Sequence, residues 1–279
     1  MSEKKPLPRS ILVTGAAGRL GRQVSDHLVQ ALRDGRIGRL RLLDIESIGV
    51  SGPGIEVVQT SLAGREAAFA AAEGMDAIVH LAGVSSENEW ENLVPANLAA
   101  IAHLYDAAVV HGVDRVLFAS SNHAIGFYPV TQRIDHTAPG LVDSRYGLTK
   151  LFGEELARLY ATKTPVRGFC MRIGSCFPAA TAARHMYTYQ SFADFIRLVE
   201  VGLSADYRFE IVYGVSDVPD GYWDNSNAFR LGYQPADKPA DFVFGELEPT
   251  QYAFQGGSFA TDPLPGVTPP PGRSRDSGR

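Results

Sequence analysis

Apolar residues fall along this chain in short solid runs separated by longer amphipathic stretches. Ile11, Leu12 and Val13 form the first run, a buried strand closed by Thr14. Residues 20–32 follow with helical periodicity, and 40–43, a second strand, end at Asp44. A loop over 46–54 leads to further strand-like runs at 55–59, 77–81, 116–119, 166–173 and 209–213. Between them 65–73, 92–111 and 144–160 are predicted helices, the second stopped by Gly112. A helical run at 192–203 and a short one at 225–231 complete the set. Strand and helix alternating in this order specify an α/β fold, a doubly wound parallel sheet with right-handed crossovers and helices on both faces. Ligands of such a sheet gather beyond the carboxyl ends of its strands. The predicted organisation is a core over 10–173, a small substrate-binding lobe over 174–263, and a tail over 264–279. The tail, with three consecutive prolines and scattered arginines, is expected to be disordered. No internal repeat is present.

Composition narrows the function classes. Hydrophobic residues make up 45% and charged residues 20% of 279 residues, as in a soluble globular protein with a sizeable core. A net charge of −5 without a basic stripe argues against a nucleic-acid partner. Cys170, in a predicted strand, and Cys176 just beyond it are the only cysteines. They make no disulfide framework and no metal-ligand constellation with a histidine, so no metal is expected. Residues 1–9 are polar, with no apolar signal region, and no run reaches membrane-spanning length. The expectation is a cytoplasmic protein with no membrane partner.

Two patterns carry chemistry. The first is ILVTGAAGRLG (residues 11–21), in which Gly15, Gly18 and Gly21 sit between a strand and a helix. Glycines there allow the sharp turn, the approach of backbone to a diphosphate and the close packing of the helix, whose N–H groups and positive dipole end face that diphosphate. Asp44 follows about twenty residues on, at the end of the second strand, where a carboxylate accepts hydrogen bonds from a ribose. This is a Rossmann-type dinucleotide site. The second is YGLTK (residues 146–150), which places Tyr146 and Lys150 one helical turn apart on one face. An ammonium beside a phenol favours the phenolate and is expected to bring the tyrosine pKa toward neutrality. A tyrosine so tuned takes a proton from a hydroxyl as hydride leaves the same carbon. Ser120 and Ser121, at the end of the preceding strand, offer a hydroxyl to hold the substrate oxygen.

Together TGxxGxxG, a strand-end serine and YxxxK resemble the extended short-chain dehydrogenase/reductase superfamily. Within it, FASSNHAIGFYP (residues 118–129), YGLTKLFGE (146–154), RIGSC (172–176), WDNS (223–226) and FQGGSF (254–259) resemble the uronate dehydrogenases. The similarity runs from about residue 10 to 263. The resemblance implies oxidation of the C1 hydroxyl of a ring-form hexuronic acid (galacturonate or glucuronate) to an aldarolactone, with NAD as acceptor, in a homo-oligomer. By position, Tyr146 is then the base, Lys150 its partner and Ser121 the hydroxyl-holding residue. Ser85, Ser121, Asn122, His123, Tyr146, Ser175 and Arg184 match family substrate contacts, with Arg184 gripping the carboxylate through two parallel hydrogen bonds. The cofactor contacts implied are Gly15, Gly18, Arg19, Leu20, Gly21, Asp44, Ser61, Leu62, Leu81, Ala82, Gly83, Asn97, Tyr146 and Lys150.

Two departures stand out. Ser61-Leu62 replaces the usual Asp-Leu that contacts adenine, and HMYTYQSFADF (residues 185–195) differs from the family in several side chains. The nearest alternative is an NAD-dependent glucose-6-phosphate or other aldose 1-dehydrogenase, which shares SSNHA and something like EIVYGVSD (residues 210–217). A sugar-nucleotide epimerase or dehydratase usually devotes a larger C-terminal lobe to its nucleotide. A non-catalytic dinucleotide sensor commonly lacks the tyrosine or lysine that this chain keeps.

Overall fold

The computed structural model describes residues 6–267. Of the expected tail, 268–279 lie outside the described residues, while 264–267 close a turn in which the Val267 N–H donates to Leu264 O at 3.2 Å.

Seven solid apolar runs become seven parallel strands: β1 (Ser10–Thr14), β2 (Arg39–Asp44), β3 (Ile55–Gln59), β4 (Ala77–His80), β5 (Arg115–Ser121), β6 (Arg167–Ile173) and β7 (Phe209–Gly214). Their order across the sheet is β3-β2-β1-β4-β5-β6-β7. The reversal of direction between β1 and β4 opens a crevice above the carboxyl ends, where loops diverge to opposite faces. Helices α1 (Arg19–Arg33) and α7 (Phe192–Ser204) pack together on one face. On the other face lie α2 (Arg65–Ala72), α4 (Ala100–His111) and α5 (Arg145–Lys163). Ile11, Val13, Leu40, Leu42 and Val79 point to the first layer, and Leu12, Leu43 and Ile78 to the second. Alternate residues of one strand thus feed two cores, which is why the central runs are largely apolar. Arg41 interrupts one run, and its Nη1 caps the carboxyl end of α2 by donating to Ala71 O at 2.6 Å and Glu73 O at 3.0 Å.

Three expectations are revised by packing. The helix predicted over 92–111 begins earlier, as α3 (Trp90–Leu93), and passes through a π-helical turn, Val94–Ala99, into α4. Pro95, which has no N–H to donate, lies in that turn. The continuous run Trp90–His111 is also long and apolar enough, by length and composition, to cross a membrane, contrary to the sequence reading. One face of the run is packed in the core instead, with Leu93, Ala100, Ile101, Leu104, Tyr105, Ala107 and Ala108 buried. Finally, α7 and β7 extend the sheet's own layers, because β7 pairs with β6 along its length. What overhangs the strand ends is the remainder of 174–263, including α6 (His185–Thr188) and, beside β7, α8 (Ser226–Arg230).

Candidate active site

Above the carboxyl ends lies one cavity of about 790 Å³. Its first half is made by the glycine-rich turn. Gly15 has φ +71°, a left-handed backbone that disfavours any other residue, and a Cβ on it would lie 2.6 Å from Ala82 N. A Cβ on Gly21 would lie 1.9 Å from Gly15 O, so the helix packs this closely only on glycine. Helix α1 starts at Gly18 with no side-chain cap and no acid in its first turn. Its leading N–H groups and dipole are therefore left for an anion from outside. This cradle fits the diphosphate of a dinucleotide. Asp44 braces the turn, its Oδ2 accepting from Ala17 N at 2.9 Å and its Oδ1 from Glu46 N at 3.0 Å. Each oxygen keeps a further lone pair for a ribose hydroxyl.

The second half is made by side chains. Ser121 ends β5 and accepts from His123 N at 3.2 Å, capping a 3-10 turn over Asn122–Ile125. Ser120 turns into the core instead, donating to Glu154 Oε1 at 2.5 Å. Glu154 in turn takes Arg172 through Nε at 3.0 Å and Nη2 at 2.9 Å, both partners fully buried. That pair locks β5, β6 and α5 together behind the site.

Helix α5 is capped by Ser144, whose Oγ accepts from Gly147 N at 2.9 Å. In its first turn Tyr146 N donates to Glu87 Oε2 at 2.8 Å, tying the helix to the loop that carries Ser85. Lys150 Nζ lies 5.4 Å from the Tyr146 ring centre, on the shared face the spacing predicts, and donates to Ala119 O at 2.8 Å. The electrostatics differ from the sequence expectation. Burial pushes the Tyr146 phenol up to about 12, the hydrogen bond with Ser121 working the other way and the Asp143 charge raising it further. Burial likewise brings Lys150 down to about 8. Loss of water around both groups outweighs their mutual effect.

His123 and Arg184 complete this half. The His123 Nδ1 lies 2.7 Å from Asp143 Oδ2, and its ring stacks on Phe259 with centres 4.0 Å apart. Arg184 donates through Nε (3.1 Å) and Nη2 (2.6 Å) to the Gln255 carbonyl, and through Nη1 to Ser175 Oγ at 3.2 Å. With its amide turned to donate to Ile173 O, Asn122 accepts from Arg184 Nη2 at 2.9 Å. The Nε–Nη2 edge is thus occupied by protein, which corrects the expected two-pronged grip. Nη1 remains as the outward donor. Among the described residues no carboxylate forms an ion pair with Arg184, and burial lowers its pKa.

Gln255 holds the arrangement together. Its side chain accepts from Trp223 Nε1 at 2.8 Å and donates to Pro129 O at 3.0 Å and Gln132 O at 2.7 Å. The two glycines after it make room for charges: a Cβ on Gly256 would lie 1.8 Å from Asp143 Oδ2, and one on Gly257 would lie 3.0 Å from Arg184 Nε.

Of the expected site residues, the cavity wall gathers Gly15, Gly18, Arg19, Leu20, Gly21, Asp44, Ser61, Leu62, Leu81, Ala82, Gly83, Ser85, Ser121, Asn122, His123, Tyr146, Lys150, Ser175 and Arg184. Asn97 is not on it. Its amide is used up behind the wall, accepting from Val84 N at 2.8 Å and donating to Val84 O and Thr149 Oγ1, both at 3.0 Å. It joins the Ser85 loop to α5 from within the π-helical turn, which gives it a supporting role behind the wall. Sequence reasoning missed Phe177, His185, Tyr252, Ser258 and Phe259 on the wall. Only FQGGSF, as a motif, pointed to the last two.

The sequence matches the model of the NAD dependent epimerase/dehydratase family over residues 11–201. It is 40% identical to the uronate dehydrogenase of Pseudomonas putida over 259 residues, covering 90% of this chain and 95% of that one. The crystal structure of a uronate dehydrogenase variant from Agrobacterium tumefaciens, complexed with NAD, superposes with a TM-score of 0.84 at 38% identity, covering 91% of this chain and 97% of that one. An NAD-dependent glucose-6-phosphate dehydrogenase of Haloferax volcanii is 34% identical, covering 88% of this chain and 100% of that one.

Proposed function

Within the uronate dehydrogenases of the NAD dependent epimerase/dehydratase family, to which this chain belongs, we propose that it oxidises the C1 hydroxyl of a ring-form hexuronic acid to the aldarolactone. The observation that carries the substrate class is Arg184, a half-buried cation without a carboxylate partner among the described residues, on the same cavity wall as Tyr146. A buried charge left unpaired by the protein is stabilised by an anion from elsewhere. The hexuronate carboxylate meets it end-on at Nη1, beside the Ser175 hydroxyl.

The dinucleotide half holds NAD, which when bound supplies the hydride acceptor. Gly15, Gly18 and the first turn of α1 hold the diphosphate, and Asp44 accepts the ribose hydroxyls and repels a 2′-phosphate. The nearby arginines do not offset this: Arg22 Nε donates to Ala17 O at 2.8 Å, and Arg19 lies over the Phe177 ring at 4.4 Å. Ser121 holds the C1 hydroxyl and Tyr146 removes its proton. Lys150, charged at neutral pH, stabilises the phenolate form of Tyr146 that accepts this proton, against the burial that favours the neutral phenol. Ser85, Asn122 and His123 orient the remaining hydroxyls.

Helix α5 presents Leu148, Phe152 and Leu159 to solvent at helical spacing, and Val94 and Val109 are exposed on the neighbouring run. A second copy of the chain covers this stripe in the homo-oligomer we propose. Cys170 and Cys176 are buried free thiols, in keeping with work in the cytosol.

The test is the ratio of kcat/KM for galacturonate to that for galactose. Arg184→Ala should lower it tenfold or more, given about 1.5–3 kcal/mol for a hydrogen bond to a charged group. An unchanged ratio removes Arg184 as selector, and wild-type preference for glucose 6-phosphate removes the uronate reading.

A further inference from the structure

A buried carboxylate just before the helix that carries the reacting tyrosine, Asp143, has no role in the chemistry above. The Asp143 side chain is fully buried, and among the described residues its only charge-bearing partner within ion-pair distance is His123. Its seat is built from two directions, since a Cβ on either Gly126 or Gly256 would lie 1.8 Å from Oδ2. The other oxygen, Oδ1, accepts from Ser144 Oγ at 2.8 Å, and Ser144 caps α5. Both oxygens of Asp143 are therefore acceptors in fixed directions, one toward the helix that carries Tyr146 and one toward His123.

The ring of His123 is correspondingly constrained. Phe259 lies flat against it, tilted by 19°, and Tyr146 meets it edge-on with centres 5.8 Å apart. A carboxylate that only accepts forces the proton of the neutral ring onto Nδ1. Nε2, which makes no hydrogen bond to protein among the described residues, is then left as a lone pair on a residue of the cavity wall. The same cavity wall carries Arg184, Ser175, Ser121 and Tyr146, whose polar groups are donors or donor–acceptors. We infer that Asp143 is a positioning residue that fixes His123 as a hydrogen-bond acceptor for one hydroxyl of the sugar, and thereby sets the polarity with which that hydroxyl is read. The inference rests on a hexuronate substrate, as proposed above.

Asp143→Asn keeps the shape of the side chain but offers an amide N–H to Nδ1. The ring proton moves to Nε2, and the wall presents a donor where it presented an acceptor, the same tautomer logic by which an amide in place of a catalytic-triad aspartate misdirects its histidine. Side-chain ¹⁵N spectra of the wild type and Asp143→Asn, with His123→Gln used to assign the signal, read the tautomer without substrate. The expected result is a proton on Nδ1 in the wild type and on Nε2 in the variant. A wild-type ring carrying its proton on Nε2, or on both nitrogens, overturns the inference whether or not the variant folds.

The second measurement is kcat/KM for the hexuronate and for its 2-, 3- and 4-deoxy derivatives, with NAD affinity determined in parallel. The wild type should lose about tenfold on removal of one of these hydroxyls, and Asp143→Asn should abolish that one preference while binding NAD within twofold of the wild type. A merely structural role would lower kcat/KM for parent and deoxy sugars by one common factor, and that result, like an unaltered preference, rejects the inference. Absence of hexuronate turnover in the wild type would instead fault the substrate reading.

Discussion

The two halves of the cavity are built by opposite means. The dinucleotide half is backbone: glycines that leave no space for a methyl group, a helix end without a cap, and one aspartate spent on bracing the turn. The substrate half is side chain. Ser121 and His123 come from the end of β5, Tyr146 from α5, and Ser175 and Arg184 from the stretch after β6; His123 is held by Asp143 and Phe259, and Arg184 by Ser175 and the Gln255 carbonyl. A backbone site binds what all dinucleotides share. A side-chain site is free to distinguish one sugar from the next, because each group is adjusted through its own partner.

Tyr146 stands at the seam, and its loss should have the largest effect. Tyr146→Phe removes the proton acceptor and keeps the ring packing, so kcat should fall roughly 100-fold or more with NAD affinity unchanged. A comparable loss of NAD affinity would place the tyrosine in the dinucleotide half and weaken the division.

Paired glycine substitutions sharpen it. Gly21→Ala sets a methyl against backbone that has no freedom to yield, and NAD affinity should drop at least about tenfold. Gly257→Ala introduces strain of about 1–2 kcal/mol at φ +70° and presses on the flexible arginine instead. It should leave NAD affinity alone and lower the galacturonate-to-galactose ratio by a few-fold. Equal losses of NAD affinity in both variants would break the comparison. The smallest expected change is Ser61→Asp, which restores a charged acceptor toward adenine and should tighten NAD about two- to fivefold without altering sugar preference. Identical NAD affinity in that variant would show that the adenine amine is not read at this position.

The same division explains what was legible in the sequence. Gly15, Gly18, Gly21 and the Tyr146–Lys150 spacing are local, so the chain order itself displays them. The central strands were legible for the same reason: β1, β4 and β5 are buried on both faces and so are written as largely apolar runs. The Arg184–Gln255 contact spans 71 residues and the Asn97–Thr149 contact 52, and no periodicity connects such pairs. Asn97 came only from the resemblance, and its bonds to Val84 and Thr149 join segments that the chain order does not bring together. For Tyr146 the lysine is written in the sequence, while the burial that raises the phenol pKa in this cavity is not.

The segment carrying Gln255 and Phe259 also imposes an order of assembly. During synthesis, every residue of the dinucleotide half has been made by the time Lys150 leaves the ribosome. The support for Arg184 and the lid on His123 come about a hundred residues later in the same chain. A nascent or clipped chain ending before residue 254 would keep Gly15, Gly18, Gly21, Tyr146 and Lys150, yet lack the carbonyl that holds the Nε–Nη2 edge of Arg184 and the ring that covers His123. Recognition of the substrate is thus the last property this molecule acquires as it is made, and the first it would lose to trimming from the carboxyl end.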